Sequence, residues 1–534
     1  MRWKLPRMSS WQPRAAWRLR FLTFAYLLIV AAVGMGMSLA LPSRLTLLYG
    51  RESIVSQAEL SPLSQPLARS WPAISAWSEK LEQEYEEFVE HLGQAVAARR
   101  CRTLEACLRS PEINLLFDPW TDARLELDVD CGDLPYVLRG YFAFKRRLPF
   151  GFVCEVQGIG PHVRYMSAVT PLRFCTWNQY ATPKMVLRKM IGQVHSGMYR
   201  MAPEVETADF YPVEISRRAL HAGAVYYDPN GHVLVVGEVR EDGTVYLMDG
   251  HPDGSLTWKR FGEAFALGGR SQGGGFKRFR PQQLHSGGVV RAQNRELPFF
   301  DGRSQWDRTL WQAPDKPGSY HAWVREALAM PESPRDPVAD FRDQLRALCR
   351  DISDRVSAVE AAVSAGLPAR PHPGELPENI YGTTGEWELY ASPSRDARLK
   401  AAFRELYESL SGLARSSALV AELRGAWREE TAQPACRFAY RNSEGAAVPL
   451  SFEDVLDRLF LLSFDPYHCP ELRWGAGGAE RSSCPADAKK WDMYLREQRL
   501  RNRLDRDYGA PTPLSAGPEE SPDLDARVFL GLGH

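Results

Sequence analysis

Hydrophobic positions fall into three patterns along this chain. Phe21 to Pro42 is almost wholly apolar and carries no charge. That length suffices to cross a bilayer. Residues 73–100 then repeat apolar positions at helical spacing, with Trp77, Leu81, Tyr85, Phe88 and Leu92 on one face, which predicts an amphipathic helix. Leu134, Val137, Leu138, Tyr141 and Phe142 recur in the same way. They predict a second helix opening at Cys131, with Asp130 as its cap. Pro135 fits only a first turn, so the regular helix starts at Cys131 or a residue or two later.

From Ala219 to Arg280 the pattern changes to β. Ala224–Tyr227, Val233–Val239 and Thr244–Met248 are β-branched and aromatic runs, separated by Asp228-Pro229-Asn230-Gly231 and Glu241-Asp242-Gly243. These predict strands joined by turns. A further strand is expected over Phe150–Val156. Gly268 to Gly275 reads as a mobile loop, because it lacks the Gly-Lys-Ser/Thr ending of a phosphate-cradling loop. The basic cluster Lys277, Arg278 and Arg280 reads as solvated, with anionic glycan or lipid head groups as the other reading. Beyond residue 300 helical spacing returns. Phe341, Leu345, Leu348, Ile352, Val356, Val359 and Val363 form one stripe on one helix, and further helices are expected over 395–428, 451–462 and 485–507. Helices followed by strands imply an α+β class.

Charge changes the picture at the N-terminus. Arg2, Lys4, Arg7, Arg14, Arg18 and Arg20 precede the apolar stretch with no acid among them, so the positive-inside rule places the long C-terminal part outside the cytoplasm. Ser38-Leu39-Ala40 offers a cleavage site. The length of the stretch favours an uncleaved anchor, and a secreted form stays open. The expected location is the inner membrane, single-pass, with the bulk periplasmic. Net charge over the whole chain is +0, which does not suggest a nucleic-acid partner. The nine cysteines suit disulfides in an oxidising compartment. If one is a free nucleophile, eight remain to pair. Cys101 with Cys107 are either a local disulfide or two core thiols. His468-Cys469 with Cys484 fits no strong zinc pattern, and a disulfide between the two cysteines is favoured. No cofactor or metal is expected, and no carboxylate pair has glycosidase spacing.

The candidate chemistry lies in Cys131, His232 and Asp249. A thiol at a helix start has its pKa lowered by the helix N-terminus and by a nearby imidazolium. His232 opens a strand. If Arg240–Gly243 is a four-residue loop, Val239 faces Thr244, Leu234 faces Asp249, and His232 lies diagonal to Asp249 on one sheet face. A five-residue loop or a bulge would break that parity. The acid would then orient the imidazole toward the thiol. His221, His251 and Asp253 are fallback partners, and His195 reads as structural. The bland alternatives are a packed core thiol, a turn histidine and a strand-end aspartate.

Asp130-Cys131-Gly132, His221-Ala222-Gly223-Ala224-Val225-Tyr226-Tyr227, Gly231-His232-Val233 and Glu241-Asp242-Gly243-Thr244 together resemble the papain-like cysteine hydrolase superfamily, especially its NlpC/P60 and CHAP branches. The resemblance covers about residues 125–265. It departs in the long Cys–His separation, which implies an insertion at 157–215, and in Ala224, where an acid is usual. Arg147-Leu148-Pro149-Phe150-Gly151-Phe152 also looks similar to the turn of transglutaminase-like proteases. The resemblance implies a papain-like core, a cysteine helix packed on an antiparallel sheet, within an α+β chain that has an N-terminal membrane helix and a mostly helical C-terminal region. The expected parts are a membrane segment at 1–42, a linker at 43–72, a helical lead-in at 73–124, the hydrolase domain at 125–300, a helical domain at 301–509 and a disordered tail at 510–534. The implied function is extracytoplasmic cleavage of amide bonds, with peptidoglycan peptides as the natural substrate class. The alternatives are a transglutaminase-like protease or acyl transferase, and an inactive scaffold whose helical C-terminal region meets a protein partner at the membrane.

Overall fold

The computed structural model describes residues 71–533, apart from 159–168, 287, 313–317, 334, 382, 414–415 and 502–520. The first described elements are helices α1 (Glu79–Ala97), α2 (Leu104–Arg109) and α3 (Asp133–Lys145). Ser78 caps α1 by accepting from Leu81 N–H, and Tyr85, Phe88, Val89 and Leu92 are buried along its inner face. Glu82 of α1 forms a buried two-point pair with Arg139 of α3, at 2.7 and 2.5 Å, which fixes the two helices against each other.

Strands β1 (Gly151–Gly158) and β2 (Val169–Thr176) form a hairpin, followed by helix α4 (Pro183–Ile191). Next come β3 (Phe210–Pro212), β4 (Val225–Asp228), β5 (His232–Val239), β6 (Val245–Gly250), β7 (Leu256–Arg260) and β8 (Gly275–Phe279). These six make one antiparallel sheet in the order β3-β8-β4-β5-β6-β7. β4 and β6 are buried along their whole length, and β5 over Val233–Gly237, as near-continuous apolar runs demand. A single core joins α1 and α3 to the sheet, with Leu92, Val137, Phe142, Val235 and Met248 among its members.

The C-terminal region is mostly helical. α5 (Tyr320–Leu328), α6 (Pro337–Ser364), α7 (Pro393–Ser411) and α8 (Ser417–Thr431) precede a hairpin of β11 (Phe438–Arg441) and β12 (Ala447–Leu450); the short hairpin β9 (Gln282–His285) and β10 (Gly288–Arg291) lies before them. α9 (Phe452–Asp457) and α10 (Ala488–Glu497) follow. The expected stripe on α6 is buried at Phe341, Leu345, Leu348, Ile352 and Val359 and packs on α7 and α8. Lys259 of β7 bonds Asp351 and Asp354 of α6, and Arg260 bonds Asp340 and Glu405. These pairs join the sheet edge to the helices.

The expected fold class needs correction in one part. The chain is α+β, with a six-stranded antiparallel sheet and helices, but no described helix is long and apolar enough to cross a membrane. The long helix α6 buries one stripe and carries Arg and Asp throughout its length. The expected membrane helix at 21–42 lies outside the described residues, as does nearly all of the linker. Two further readings change. Lys277 and Arg280 are not solvated: they belong to and follow β8, with 2% and 1% of their surface exposed. The chain end, read as disordered to 534, closes on a helical turn at Arg527–Leu530, with Leu524, Ala526 and Leu530 buried in the helical core.

Candidate functional site

Cys131 stands in the turn that opens α3. Regular helix is assigned from Asp133, two residues later than Cys131, but the hydrogen bonds begin at Asp130. Asp130 O accepts from Leu134 N–H at 3.1 Å. Asp130 Oδ1 accepts from the N–H groups of Gly132 at 2.7 Å and Asp133 at 3.1 Å. Asp133 Oδ2 in turn accepts from Asp130 N–H at 3.3 Å. This is the reciprocal pairing of a capping box, with an Asp in both places. Pro135 has no N–H to give to Cys131 O, so the first turn stays irregular. The Asp-x-x-Asp spacing of the sequence thus supplies both halves of the cap, Asp133 completing the one expected of Asp130.

The backbone at Cys131 is hemmed in on two sides. A Cβ on Gly132 would lie 2.6 Å from Ser196 N, and one on Gly250 would lie 2.9 Å from Asp130 O and 3.3 Å from Cys131 N. The 195–199 segment belongs to the stretch expected as an insertion at 157–215. It covers the cysteine turn, and Tyr199 Oη donates to Gly132 O at 2.9 Å. His195, read as structural, runs past Gly132 within this segment.

His232 and Asp249 come together across β5 and β6. Leu234 lies opposite Asp249, so His232 is the diagonal neighbour of Asp249 on the same face. The route differs from the expected four-residue loop. Val239 pairs with Val245, which leaves five residues in the turn, and Gly237 is an extra residue between the pairs Val236–Leu247 and Glu238–Tyr246. The two shifts cancel at the site. Gly237 is needed there because a Cβ would run into the Trp258 ring.

His232 Nε2 lies 2.8 Å from Asp249 Oδ1. The contact is close but lacks the alignment of a hydrogen bond. Asp249 is fully buried, and its other oxygen lies 3.6 Å from His251 Nε2. His251 Nε2 also meets Thr257 Oγ1 at 2.9 Å. Burial works to raise the Asp249 pKa, but His232 and His251 together hold the carboxyl well below its usual range. Burial pushes the His251 imidazole well down, against the pull of Asp249. His251, a fallback candidate, thus acts on Asp249 from the side away from His232.

Cys131 Sγ lies 4.0 Å from Gly231 O, and the Val233 N–H stabilises its thiolate. The sulfur therefore meets the peptide groups on both sides of His232. It is the one cysteine outside a disulfide; the others pair as Cys101–Cys107, Cys154–Cys175, Cys349–Cys436 and Cys469–Cys484. Cys131 as a residue is half-buried, and the His232 side chain is 12% exposed. The electrostatics of the thiol reverse the expectation of a lowered pKa. Burial pushes the thiol well up and the Asp130 charge adds to this; the Val233 N–H pulls the other way, and Asp249 adds a smaller upward push. Burial and Asp130 push Asp133 itself up to about 9, so it is neutral at pH 7.

The other fallback residues are engaged elsewhere. His221 Nδ1 pairs with Glu86 at 2.7 Å, and Asp253 Oδ1 accepts from Ser255 N–H and Oγ–H. A cavity of about 50 Å³ between β7 and α6 and an open cleft of about 440 Å³ beside the start of β6 are lined by neither Cys131, His232 nor Asp249. No family model, curated protein or solved structure matches the chain.

Proposed function

We propose that the chain is a papain-like cysteine hydrolase that cleaves amide bonds outside the cytoplasm. The observation that carries this reading is one constellation: the single unpaired cysteine sits against the backbone of His232, whose Nε2 is 2.8 Å from Asp249 Oδ1. Four disulfides support an oxidising compartment.

In this mechanism Asp249 holds Nε2–H, which leaves Nδ1 to take the Cys131 proton. The thiolate sulfur bonds to the substrate carbonyl carbon, and the Cys131 N–H, at the opening of α3, helps hold the developing oxyanion. Collapse breaks the C–N bond as His232 returns the proton to the leaving amine. Water then attacks the thioester with His232 as base, releasing the acid and restoring the thiol. The nearby Asp130 and Asp249 carboxylates disfavour a lone thiolate, so the nucleophile in this scheme is the thiolate–imidazolium pair. Peptidoglycan peptides are the proposed substrate class, on the motif resemblance.

The test is hydrolysis of such peptides by the full chain and by Cys131→Ala, together with labelling by a thiol-directed covalent probe. Loss of both in a folded Cys131→Ala variant is expected; equal activity or labelling overturns the proposal. The raised thiol pKa specifically favours a second reading, an inactive scaffold whose helical region binds a partner. That reading requires the folded wild-type chain to neither hydrolyse amides nor form an acyl-enzyme.

A further inference from the structure

A second cluster lies in the C-terminal region, far in sequence from Cys131. The sequence sets His468 beside Cys469 and Cys484, but those two cysteines are joined in a disulfide. The fold instead gives His468 two carboxylates. Asp465, His468 and Glu497 offer ligand atoms all within 4.8 Å of one another. All three are buried, with exposures of 0%, 0% and 2%.

The polar accounting at this cluster is incomplete. Neither oxygen of Glu497 is within aligned hydrogen-bond reach of a donor; Oε1 lies 3.7 Å from His468 Nδ1. His468 Nδ1 meets Ser463 Oγ at 2.7 Å. Ser463 Oγ also accepts from Asp465 N–H. His468 Nε2 faces Asp465 Oδ2 at 3.7 Å and has no hydrogen-bond partner. Buried carboxylate oxygens left without a hydrogen bond need a cation or a proton beside them.

The neighbouring basic groups are engaged by other partners. Arg355 is held by Asp396, Arg473 bonds Ser463 O and Ser392 Oγ, and Lys400 bonds Arg501 O. Asp465 is also oriented from outside. Gly374 N–H donates to His372 Nδ1, so His372 Nε2–H donates to Asp465 Oδ2 at 2.7 Å. An outer hydrogen bond of this kind is what steadies a metal-binding carboxylate. On its other side Glu497 lines a cavity of about 20 Å³, enough for roughly one water.

We propose that Asp465, His468 and Glu497 bind one divalent transition-metal ion of the zinc type. One imidazole nitrogen and two carboxylates are a zinc-compatible set. Ligand atoms around such an ion stand about 3.3 Å apart at ordinary bond lengths, so atoms up to 4.8 Å apart must draw in by as much as about 1.5 Å. The ion would tie the 463–468 turn to the end of α10, next to the Cys469–Cys484 bond.

The test uses the full chain carrying Cys131→Ala, since Cys131, His232 and Asp249 are themselves zinc-type ligands. The chain is stripped with a chelator and dialysed against micromolar zinc. One zinc per chain and a rise in Tm with zinc are expected. Glu497→Gln and His468→Gln are each expected to weaken zinc binding at least tenfold and to lose the Tm rise. Failure of the stripped parent chain to take up zinc overturns the proposal, whether or not the variants fold. So does equal uptake by a folded Glu497→Gln chain.

Discussion

His232 and Asp249 stand diagonally on neighbouring strands, with Nε2 2.8 Å from Oδ1 and the carboxylate fully buried. Asp249→Asn keeps the shape and removes the charge that orients the imidazole. Amide hydrolysis is expected to fall by about 100-fold or more, measured as kcat with a peptide substrate. The folded pKa of Asp249 is depressed, so its contribution to stability is present above the unfolded value of about 3.9 and is lost as pH falls below it. Acid unfolding of Asp249→Asn should therefore lack this component, as followed by circular dichroism from pH 6 to pH 2.

Asp130 plays two opposed roles. It caps α3 through Gly132 and Asp133 N–H, and its charge raises the thiol. Asparagine caps nearly as well as aspartate. Asp130→Asn is expected to leave Tm within a few degrees and to raise the iodoacetamide alkylation rate of Cys131 several-fold at pH 7. An unchanged rate would show that burial alone governs the thiol.

Asp133 predicts a pH effect of opposite sign to Asp249. Its folded pKa is raised to about 9 from an unfolded value of about 3.9. The stability it supports is complete below pH 4 and declines as pH rises toward 9. Asp133→Asn keeps an acceptor for Asp130 N–H and cannot ionise. We expect it to stabilise the fold by roughly 1–3 kcal/mol at pH 8 and to have little effect at pH 4, measured by urea unfolding at both pH values.

Gly132 has an ordinary helical φ of −72°, so space and not backbone conformation demands glycine there. The Cβ of Gly132→Ala would press on Ser196 N and on the His195 backbone. The expected cost is roughly 1–3 kcal/mol, with altered alkylation of the adjacent Cys131. A thermal melt and a labelling time course check both.

Every cysteine but Cys131 is paired. A thiol titration of the unreduced chain in denaturant should find one reactive group, and none in Cys131→Ala. The Cys349–Cys436 bond spans 87 residues between α6 and the strand region beyond α8. Replacing both with serine should cost on the order of 2–4 kcal/mol.

Local pattern alone carried much of this protein. The stripe from Phe341 to Val359 specifies one long helix because apolar positions at helical steps have a single face to bury. The runs at 224–227, 233–239 and 244–248 specify strands for a similar reason. The Asp-Cys-Gly-Asp run is enough to write a capped helix start. What it cannot write is the number of residues absorbed on the way from His232 to Asp249. The turn holds one residue more than the simple count, and Gly237 takes up one more before the site. Their cancellation depends on Trp258, which comes from the next strand and excludes any side chain at Gly237. The thiol follows the same division. A helix start by itself lowers a cysteine pKa, but Asp249 and the depth of burial arrive only with the folded sheet. The cluster of Asp465, His468 and Glu497 depends on it too, since residues some thirty positions apart meet only when α10 packs beside the 463–468 turn.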